Sequence, residues 1–302
     1  MPCWRVASAP AKNCGVHVAK QERRDPPLRM AIVGCGDIAE PVAWLLRLDR
    51  RVRVVACCDV DVARAAAFAR RHRIAKSFRG YGDMLRAGEL DAVYLAVPHH
   101  LHHAMASEAI AQGRHVLLEK PIAVSFAEGC DIAARAAAAG VCVGVNYQYR
   151  YDRAAYALAC AVREGRLGRI QYARAHVPWH RGPRYFSGAS WRGGWQTAGG
   201  GTLMTQGSHL VDLALWSLGQ RAVRALGVTA QRMFSGVEVE DLAQGTLVLE
   251  DGGGIRRHHR VDGVHLLVDL LHLGGVQDPT LEQERLVVLL VLGDVEEGEP
   301  EA

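Results

Sequence analysis

The sequence lacks the features that mark several classes of protein. No apolar run approaches the roughly 20 residues that cross a bilayer, so no membrane span is predicted. The eight cysteines form no CxxC pair and no metal-ligand spacing, and we interpret them as reduced, buried thiols of a cytoplasmic protein. The histidine-rich run HHLHH, residues 99–103, lacks the carboxylate that supports paired histidines in zinc helices, so we expect no metal site.

The excess of positive charge is confined to the first 30 residues. The formal net charge is +4, and residues 1–30 hold six basic and two acidic residues, which leaves the remainder of the chain neutral. A nucleic-acid binder carries a basic face on its folded part, so this function is excluded. The segment also has no apolar core for a secretory signal. We expect residues 1–28 to be an unstructured leader, either a transit peptide or, because Met30 directly precedes the first strand, an over-extended start.

Apolar strands alternate with helices between residues 29 and 146. The strands are indicated by the segments LRMAIVG, RVRVVACCD, LDAVYLAV, HVLLE and VCVGVNYQY. Pro41 falls in the first turn of one helix, where it is tolerated; Ser125 and Glu128 form a capping box on another helix, which ends at Gly140. This alternation predicts an α/β fold, a Rossmann domain over 29–146 with a doubly wound parallel sheet covered on both faces.

The pattern changes after residue 147. Helices are indicated at 152–165 and 203–218, and strands by RIQYARAHVPW and near 221–231 and 242–250. The strands are longer and more alternating than those of the first half. They predict a second α+β domain over 147–302, built on an open, mainly antiparallel sheet and serving substrate binding and oligomerisation.

A glycine-rich turn joins the first strand to the first helix. In AIVGCGDIA, Gly34 and Gly36 permit a tight turn and a close approach of the backbone to a pyrophosphate at the helix N-terminus. Asp37 and Ile38 follow in the same turn and are further candidates for cofactor contact. Such a motif is weak evidence alone, but a strand precedes it and a helix follows it, as a dinucleotide site requires.

The second strand ends in Asp59, twenty residues after Ala39 of the glycine motif. A carboxylate at this place hydrogen-bonds the ribose hydroxyls of the adenosine. Val60 and Asp61 follow, rather than Arg or Lys, so a 2′-phosphate would meet negative charge. The sequence therefore favours NAD over NADP.

The segment HVLLEKPIA places Glu119, Lys120 and Pro121 where a buried strand ends. A charge at a strand end usually faces water. In a doubly wound sheet, however, ligands bind outside the carboxyl ends of the strands. We therefore expect Lys120 to face the nicotinamide side of a cofactor crevice.

Five segments resemble those of the Gfo/Idh/MocA oxidoreductases in order and spacing, from about Met30 to about Glu250. They are GCGDIA, AVPHHLHH, GRHVLLEKPIA, GVNYQYRY and GGGTLMTQGSHLVD. The resemblance implies a two-domain NAD(P)-dependent dehydrogenase that transfers a hydride between the nicotinamide and a secondary hydroxyl of a sugar, a sugar nucleotide or a cyclitol. No internal repeat is present.

The resemblance also implies roles for individual residues. Lys120 matches the family's catalytic lysine and His209 its catalytic histidine. Cofactor contacts are implied for the loop residues Pro98 and His102, for Glu119 and for Asn146 at the domain junction, with Arg150 beside the substrate. The chemistry agrees, since a histidine can take the hydroxyl proton near neutral pH and an ammonium group can stabilise a developing alkoxide.

The surroundings of His209 leave two functions open. Thr205, His209 and Asp212 fall at i, i+4 and i+7, on one stripe of a helix, so Asp212 could simply hydrogen-bond the histidine. Many family members carry Asp where Thr205 stands, and some members resembling sugar-nucleotide 3-dehydrogenases carry Asn. The alternative function is a non-catalytic or impaired dinucleotide-binding protein.

The stretch HRGPRYFSGASWRGGWQTAGGG looks like the substrate loop of that subgroup. Its cationic and aromatic residues could meet a carboxylate or a diphosphate of a nucleotide sugar; they are Arg181, Arg184, Tyr185, Trp191 and Arg192. A solvated loop remains the alternative.

The family pattern fails beyond Glu250. Leu and Val cluster there without the alternation of strands, so we expect no further strand, and a shifted reading frame and a diverged tail both stay open. A homo-oligomer is expected only if the C-terminal sheet is intact.

Overall fold

A computed structural model describes residues 26–250 except 88, 169 and 180, together with the backbone of 265–271 and 287–292. The chain divides into one unit that ends at Asn146 and another that begins at Tyr147. The predicted leader lies outside the described residues up to position 25, and Leu28 already belongs to the first strand.

The first unit alternates strands and helices as the sequence predicts. Its elements are β1 (Leu28–Val33), α1 (Ala39–Leu48), β2 (Val52–Cys58), α2 (Val62–His72), β3 (Lys76–Phe78), α3 (Tyr81–Ala87), β4 (Ala92–Leu95), a 3₁₀ turn (His99–Leu101), α4 (His102–Ala111), β5 (His115–Leu118), α5 (Phe126–Ala139) and β6 (Val143–Val145). All strand pairs are parallel, in the order β3-β2-β1-β4-β5-β6. This is the strand order of a Rossmann domain and confirms the predicted fold class.

Both faces of this sheet are covered. Ala31 and Val33 of β1 pack into one apolar cluster, and Met30 and Ile32 pack into another. Successive residues of a strand point to opposite faces, so the two clusters lie on opposite sides of the sheet. This arrangement explains why the strands are apolar without alternation.

The helix caps agree with the sequence. The Ser125 hydroxyl accepts a hydrogen bond from the Glu128 amide at 3.2 Å, and α5 ends at Gly140 with a φ of 67°. In the first unit, the sequence did not predict β3 and α3, and β6 is shorter than its predicted strand.

The second unit combines helices with a five-stranded sheet. It contains a 3₁₀ turn (Gln148–Tyr151), α6 (Arg153–Arg163), β7 (Ile170–Val177), α7 (Arg184–Ser187), a 3₁₀ turn (Ser190–Gly193), α8 (Trp195–Ala198), a π-helical turn (Leu203–Gly207), α9 (Ser208–Leu218), β8 (Ala222–Ala230), β9 (Leu242–Leu249), β10 (His265–Leu271) and β11 (Val287–Leu292). The order is β11-β7-β10-β9-β8, and every pair except β7 with β10 is antiparallel. The mainly antiparallel sheet is confirmed. One face of β7 packs against α9, while nearly all of β8 is exposed.

The expectation of no strand beyond residue 250 is wrong at β10 and β11. The backbone of β10 pairs with both β9 and β7, and that of β11 pairs with β7. Their sequences, HLLVDLL and VVLLVL, are nearly continuous apolar runs. By periodicity alone such runs cannot be told from a buried helix, which is why the sequence did not indicate strands there.

The cysteines match their expected environment only in part. Cys35, Cys57 and Cys58 are buried free thiols, whereas Cys142 is exposed. In the part of the chain that the structure describes, no helix has the length and apolar character of a membrane span.

Candidate active site

The two glycines of the turn after β1 differ in the space around their Cα atoms. Gly34 has a φ of +85°, and a Cβ there would stand 2.2 Å from the carbonyl oxygen of Ala96. A Cβ on Gly36 would meet no protein atom within 4 Å. The protein itself therefore requires glycine at position 34 but not at position 36. The open space beside Gly36 fits a ligand that must approach the backbone closely, as a dinucleotide pyrophosphate does.

Asp59 ties the end of β2 to this turn. It is buried, and its Oδ2 accepts a hydrogen bond from the Cys35 amide at 2.9 Å. Its Oδ1 accepts from the Asp61 amide, also at 2.9 Å. A carboxylate has about four acceptor positions, so Asp59 can brace the turn and still accept ribose hydroxyls. Asp37 and Ile38, which precede α1, are exposed.

Glu119 at the end of β5 is held by its neighbours in the sheet. Its Oε1 accepts hydrogen bonds from the Tyr94 hydroxyl at 2.5 Å and from Asn146 Nδ2 at 2.7 Å. Burial, together with the Glu119 carboxylate, raises the pKa of the Tyr94 phenol, which therefore stays protonated and donates. The contact brings together two of the predicted cofactor residues, Glu119 and Asn146, and fixes the strand end from which the half-buried Lys120 projects. The Lys120–Pro121 peptide bond is cis.

His102 is completely buried next to the same loop. Its Nδ1 lies 2.8 Å from the carbonyl oxygen of Pro121, and its Nε2 lies 3.0 Å from that of Val97. Burial lowers the pKa of His102, against the two carbonyl groups, which raise it. The ring thus joins α4 to the loops after β4 and β5. We interpret it as a positioning residue for the Lys120 loop, with the half-buried Pro98 at the start of the intervening 3₁₀ turn.

In the second unit, His209 lies in the first turn of α9 and is 7% exposed. Two tyrosine rings contact the imidazole in edge-to-face geometry, with centroid distances of 6.0 Å for Tyr147 and 5.1 Å for Tyr149. A π-helical turn precedes α9, and single π turns occur frequently at functional sites. The histidine is therefore held in an aromatic setting at the start of a helix.

Thr205 and Asp212, which were expected on one stripe of the helix with His209, form hydrogen bonds with separate partners. The Thr205 hydroxyl donates to the Gly201 carbonyl oxygen at 2.7 Å and lies 2.6 Å from Gln206 Oε1. Asp212 is bound by Arg150, whose Nε donates to Oδ2 at 2.7 Å and whose Nη2 donates to Oδ1. Asp212 is therefore neutralised by Arg150, whichever partner His209 has. The π turn inserts an extra residue between Thr205 and His209, which the helical spacing could not foresee.

The arginines of the predicted substrate loop gather around Tyr185. The guanidinium carbons of Arg181 and Arg192 lie 5.6 and 4.5 Å from the centroid of its ring. Arg192 also lies over Trp191 at 5.4 Å and donates a hydrogen bond to the Tyr185 carbonyl oxygen at 3.1 Å. Arg184 is exposed. We refer to Arg181, Tyr185, Trp191 and Arg192 as the arginine–aromatic cluster.

Sequence reasoning missed two buried polar residues of this unit. Gln206 donates from Nε2 to the Tyr185 hydroxyl at 3.3 Å, which connects the π turn to the arginine–aromatic cluster. Glu240 accepts hydrogen bonds from the amides of Gly201 at 2.7 Å and Leu203 at 3.0 Å. The run GGGT was the available signal, because a Cβ on Gly201 would stand 1.8 Å from the Glu240 carbonyl oxygen.

Comparison with known proteins assigns the chain to a family. The model described as "Oxidoreductase family, NAD-binding Rossmann fold" (GFO_IDH_MocA) matches residues 28–147, and the "GFO/IDH/MocA C-terminal domain" matches residues 157–256. The chain belongs to the Gfo/Idh/MocA family. The resemblance inferred from the sequence motifs is confirmed.

Several Gfo/Idh/MocA relatives are known. The chain is 30% identical to the WlbA dehydrogenase from Bordetella pertussis, whose crystal structure contains NADH and UDP-GlcNAcA; the TM-score is 0.73, with 82% of this chain and 71% of that chain covered. It is 28% identical to 1,5-anhydro-D-fructose reductase of Ensifer adhaerens, covering 74% of this chain and 66% of the relative. It is 26% identical to D-glucoside 3-dehydrogenase of Escherichia coli, covering 78% and 70%. The matched part of the chain therefore spans about two thirds of these curated relatives.

Proposed function

We propose that this Gfo/Idh/MocA protein is an NAD(P)-dependent oxidoreductase acting on a secondary hydroxyl of a nucleotide sugar or a related carbohydrate. The contrast between Gly34 and Gly36 carries the cofactor part of the proposal. The protein's own packing explains glycine at 34 but not at 36, where the close approach of a pyrophosphate would account for it. When bound, a nicotinamide dinucleotide accepts or supplies the hydride.

The residues that would hold this cofactor lie at the carboxyl ends of β1, β2, β4, β5 and β6. The backbone at Gly36 would meet the pyrophosphate, with Asp37 and Ile38 at the start of α1, and Asp59 would accept the ribose hydroxyls. The loop with Pro98 and the Glu119–Asn146 pair would border the nicotinamide side. These positions are the ligand-binding edge of a doubly wound sheet.

Lys120 and His209 supply the proton chemistry in this proposal. The His209 imidazole would take the hydroxyl proton and return it in the reverse direction. The Lys120 ammonium group orients the hydroxyl and stabilises negative charge on its oxygen. The aromatic walls around His209 limit water near the ring, which strengthens its electrostatic interactions.

The arginine–aromatic cluster supports an anionic substrate. Two guanidinium groups within 6 Å of one tyrosine ring form a concentration of positive charge, which would attract an anionic group of a substrate. Diphosphate and carboxylate groups both match the planar donor fork of arginine. The WlbA relative was crystallised with UDP-GlcNAcA, a nucleotide sugar acid that offers both groups. We favour this class of substrate, with Arg150, Arg184, Thr205 and Asp212 as further candidate contacts.

One observation favours the alternative, a dinucleotide-binding protein without catalysis. The Thr205 hydroxyl is directed to Gly201 and Gln206 and cannot orient an imidazolium as a carboxylate would. The two functions differ in turnover but not in binding. In the non-catalytic protein, cofactor and nucleotide sugar would still bind.

The test measures both properties on the same preparation. The purified chain is incubated with NAD or NADP and a panel of UDP-sugars and UDP-sugar acids, and the absorbance of the reduced nicotinamide is followed. UDP and the free sugar acids serve as controls for the two halves of the substrate. Turnover with a UDP-sugar acid is the expected result. Binding without turnover across the panel supports the alternative, and absence of dinucleotide binding contradicts both.

A further inference from the structure

Helix α1 carries large apolar side chains on its outer face. Trp44 is 56% exposed, Leu45 58% and Leu48 65%, whereas Ala39 and Ala43 on the opposite face are buried in the core. A surface helix normally turns polar side chains to water, and a helix with apolar side chains on both faces is normally buried on both. The outer face of α1 is therefore suited to contact with another surface.

The exposed apolar residues have the spacing of a seam between two helices. Pro41 is followed by Trp44 and Leu45 at i+3 and i+4 and by Leu48 at i+7, so the four side chains form one stripe. The stripe runs along a helix of ten residues, about 15 Å long. Because the outer surface of a helix is convex, it suits a second helix lying alongside better than a small molecule, which binds in a concave pocket.

The charged residues beside the stripe have opposite signs at its two ends. Glu40 lies in the first turn of α1 and the exposed Arg47 in its last turn. They are seven residues apart, so both lie on the same flank of the helix. The Glu40 carboxylate accepts a hydrogen bond from Arg71 and lies 2.8 Å from His72 Nε2, and these contacts with α2 fix its position.

We propose that the outer face of α1 is the interface of a homodimer, in which two copies of α1 lie antiparallel about a two-fold axis near Trp44. A two-fold interface uses the same patch on both subunits, so the patch must complement itself. In the antiparallel arrangement the apolar stripe meets its own copy, and Glu40 of each subunit faces Arg47 of the other. The dipoles of the two helices also oppose each other, which is favourable.

The size of the stripe determines how tight this dimer should be. Its large side chains, Trp44, Leu45 and Leu48, would cover only part of the roughly 800 Å² that each partner buries in a stable interface of standard size. We therefore expect a dissociation constant on the order of 10 µM rather than a nanomolar one. The proposed interface belongs to the first unit, whereas the sequence led us to expect oligomerisation through the second.

The experiment is sedimentation velocity of the full chain at concentrations from about 1 to 200 µM, on both sides of the expected dissociation constant. The wild-type chain should pass from monomer to dimer over this range. Leu45→Arg should raise the dissociation constant by about tenfold or more, because it places a charge in the apolar seam. Arg47→Glu should have an effect of about the same size, because it brings two carboxylates together twice across the axis. Circular dichroism during thermal unfolding checks that each variant is folded.

Leu226→Arg is the matched control. Leu226 is 57% exposed on β8 of the second unit, so the same substitution is made at a leucine of nearly the same exposure. It should leave the dissociation constant unchanged. Association that is weakened by Leu226→Arg but not by Leu45→Arg would assign the interface to the second unit and overturn the proposal. A wild-type chain that stays monomeric at about 200 µM would also overturn it, since the face of α1 would then serve a partner of another kind.

Discussion

Arg150 neutralises Asp212 through two hydrogen bonds within the second unit, with Nε 2.7 Å from Oδ2. Burial raises the pKa of Asp212, and the hydrogen bond and charge of Arg150 oppose this shift. The pair joins the 3₁₀ turn after β6 to α9, the helix that carries His209. Removing one partner would leave a largely buried carboxylate without its counter-ion.

Arg150→Ala should therefore lower the free energy of unfolding by about 1–3 kcal/mol at neutral pH, because a buried charged acceptor loses its donors. Without arginine, the folded pKa of Asp212 rises further above its unfolded value. A carboxyl group with a raised folded pKa favours the folded state once it is protonated, so stability should recover as pH falls through that folded pKa. Urea titrations at a series of pH values measure this. Adding Asp212→Asn to Arg150→Ala should restore most of the loss at neutral pH, and a double variant no more stable than Arg150→Ala would contradict the ion-pair explanation.

Gly34→Ala and Gly36→Ala should separate folding from cofactor binding. A methyl group at 34 clashes with the Ala96 carbonyl oxygen and requires a left-handed backbone, so we expect a loss of stability of at least about 1–3 kcal/mol. A methyl group at 36 has room in the protein and should change stability by less than about 1 kcal/mol. It should nevertheless weaken dinucleotide binding by about tenfold or more, because the pyrophosphate must approach this backbone. Equal losses of stability in both variants, or an unchanged dinucleotide affinity in Gly36→Ala, would argue against pyrophosphate binding at Gly36.

The sequence predicted most of the first unit because its signals are local. The Ser125 side chain caps its helix by accepting a hydrogen bond from the amide of Glu128, three residues away. Apolar strands that alternate with helices indicate a parallel sheet. The strand β3 escaped prediction because it has only three residues, KSF, two of them exposed. The glycine motif and EKP were recognised because their residue types and spacing are specific.

The contacts that distinguish this site are long-range, and for that reason the sequence could not provide them. Glu240 reaches Gly201 across 39 positions, and Asn146 reaches Glu119 across 27. Arg64 is a local exception, because its guanidinium lies 3.7 Å from Asp59, only five residues earlier in the chain. Charge order directly after β2 suggested repulsion of a 2′-phosphate, whereas the folded arrangement places this cation beside the acids.

Glu240 should act on catalysis by holding the start of the His209 helix. Glu240→Ala removes the acceptor of two amides, so we expect a loss of about 1–3 kcal/mol in unfolding free energy. Turnover should fall, while NAD affinity should stay unchanged, because the glycine turn belongs to the first unit. Glu240→Gln, which retains one carbonyl acceptor, should recover part of both losses. The exposed Glu238 offers a control two residues away, where alanine should leave turnover near the wild-type value.

Lys120→Ala and His209→Ala should each lower kcat by about 10²-fold or more on any sugar that is turned over, the scale of a positioned proton-transfer group. His209→Ala should leave the dissociation constant for NAD close to the wild-type value, since this histidine belongs to the second unit. Lys76→Ala, at an exposed position of β3, removes the same charge as Lys120→Ala from the first unit and should keep full activity. Initial rates and calorimetric titrations on the four proteins separate the effects. A wild-type kcat in His209→Ala would show that the histidine is not the base of the reaction. Lys120 would then have to act with a different base.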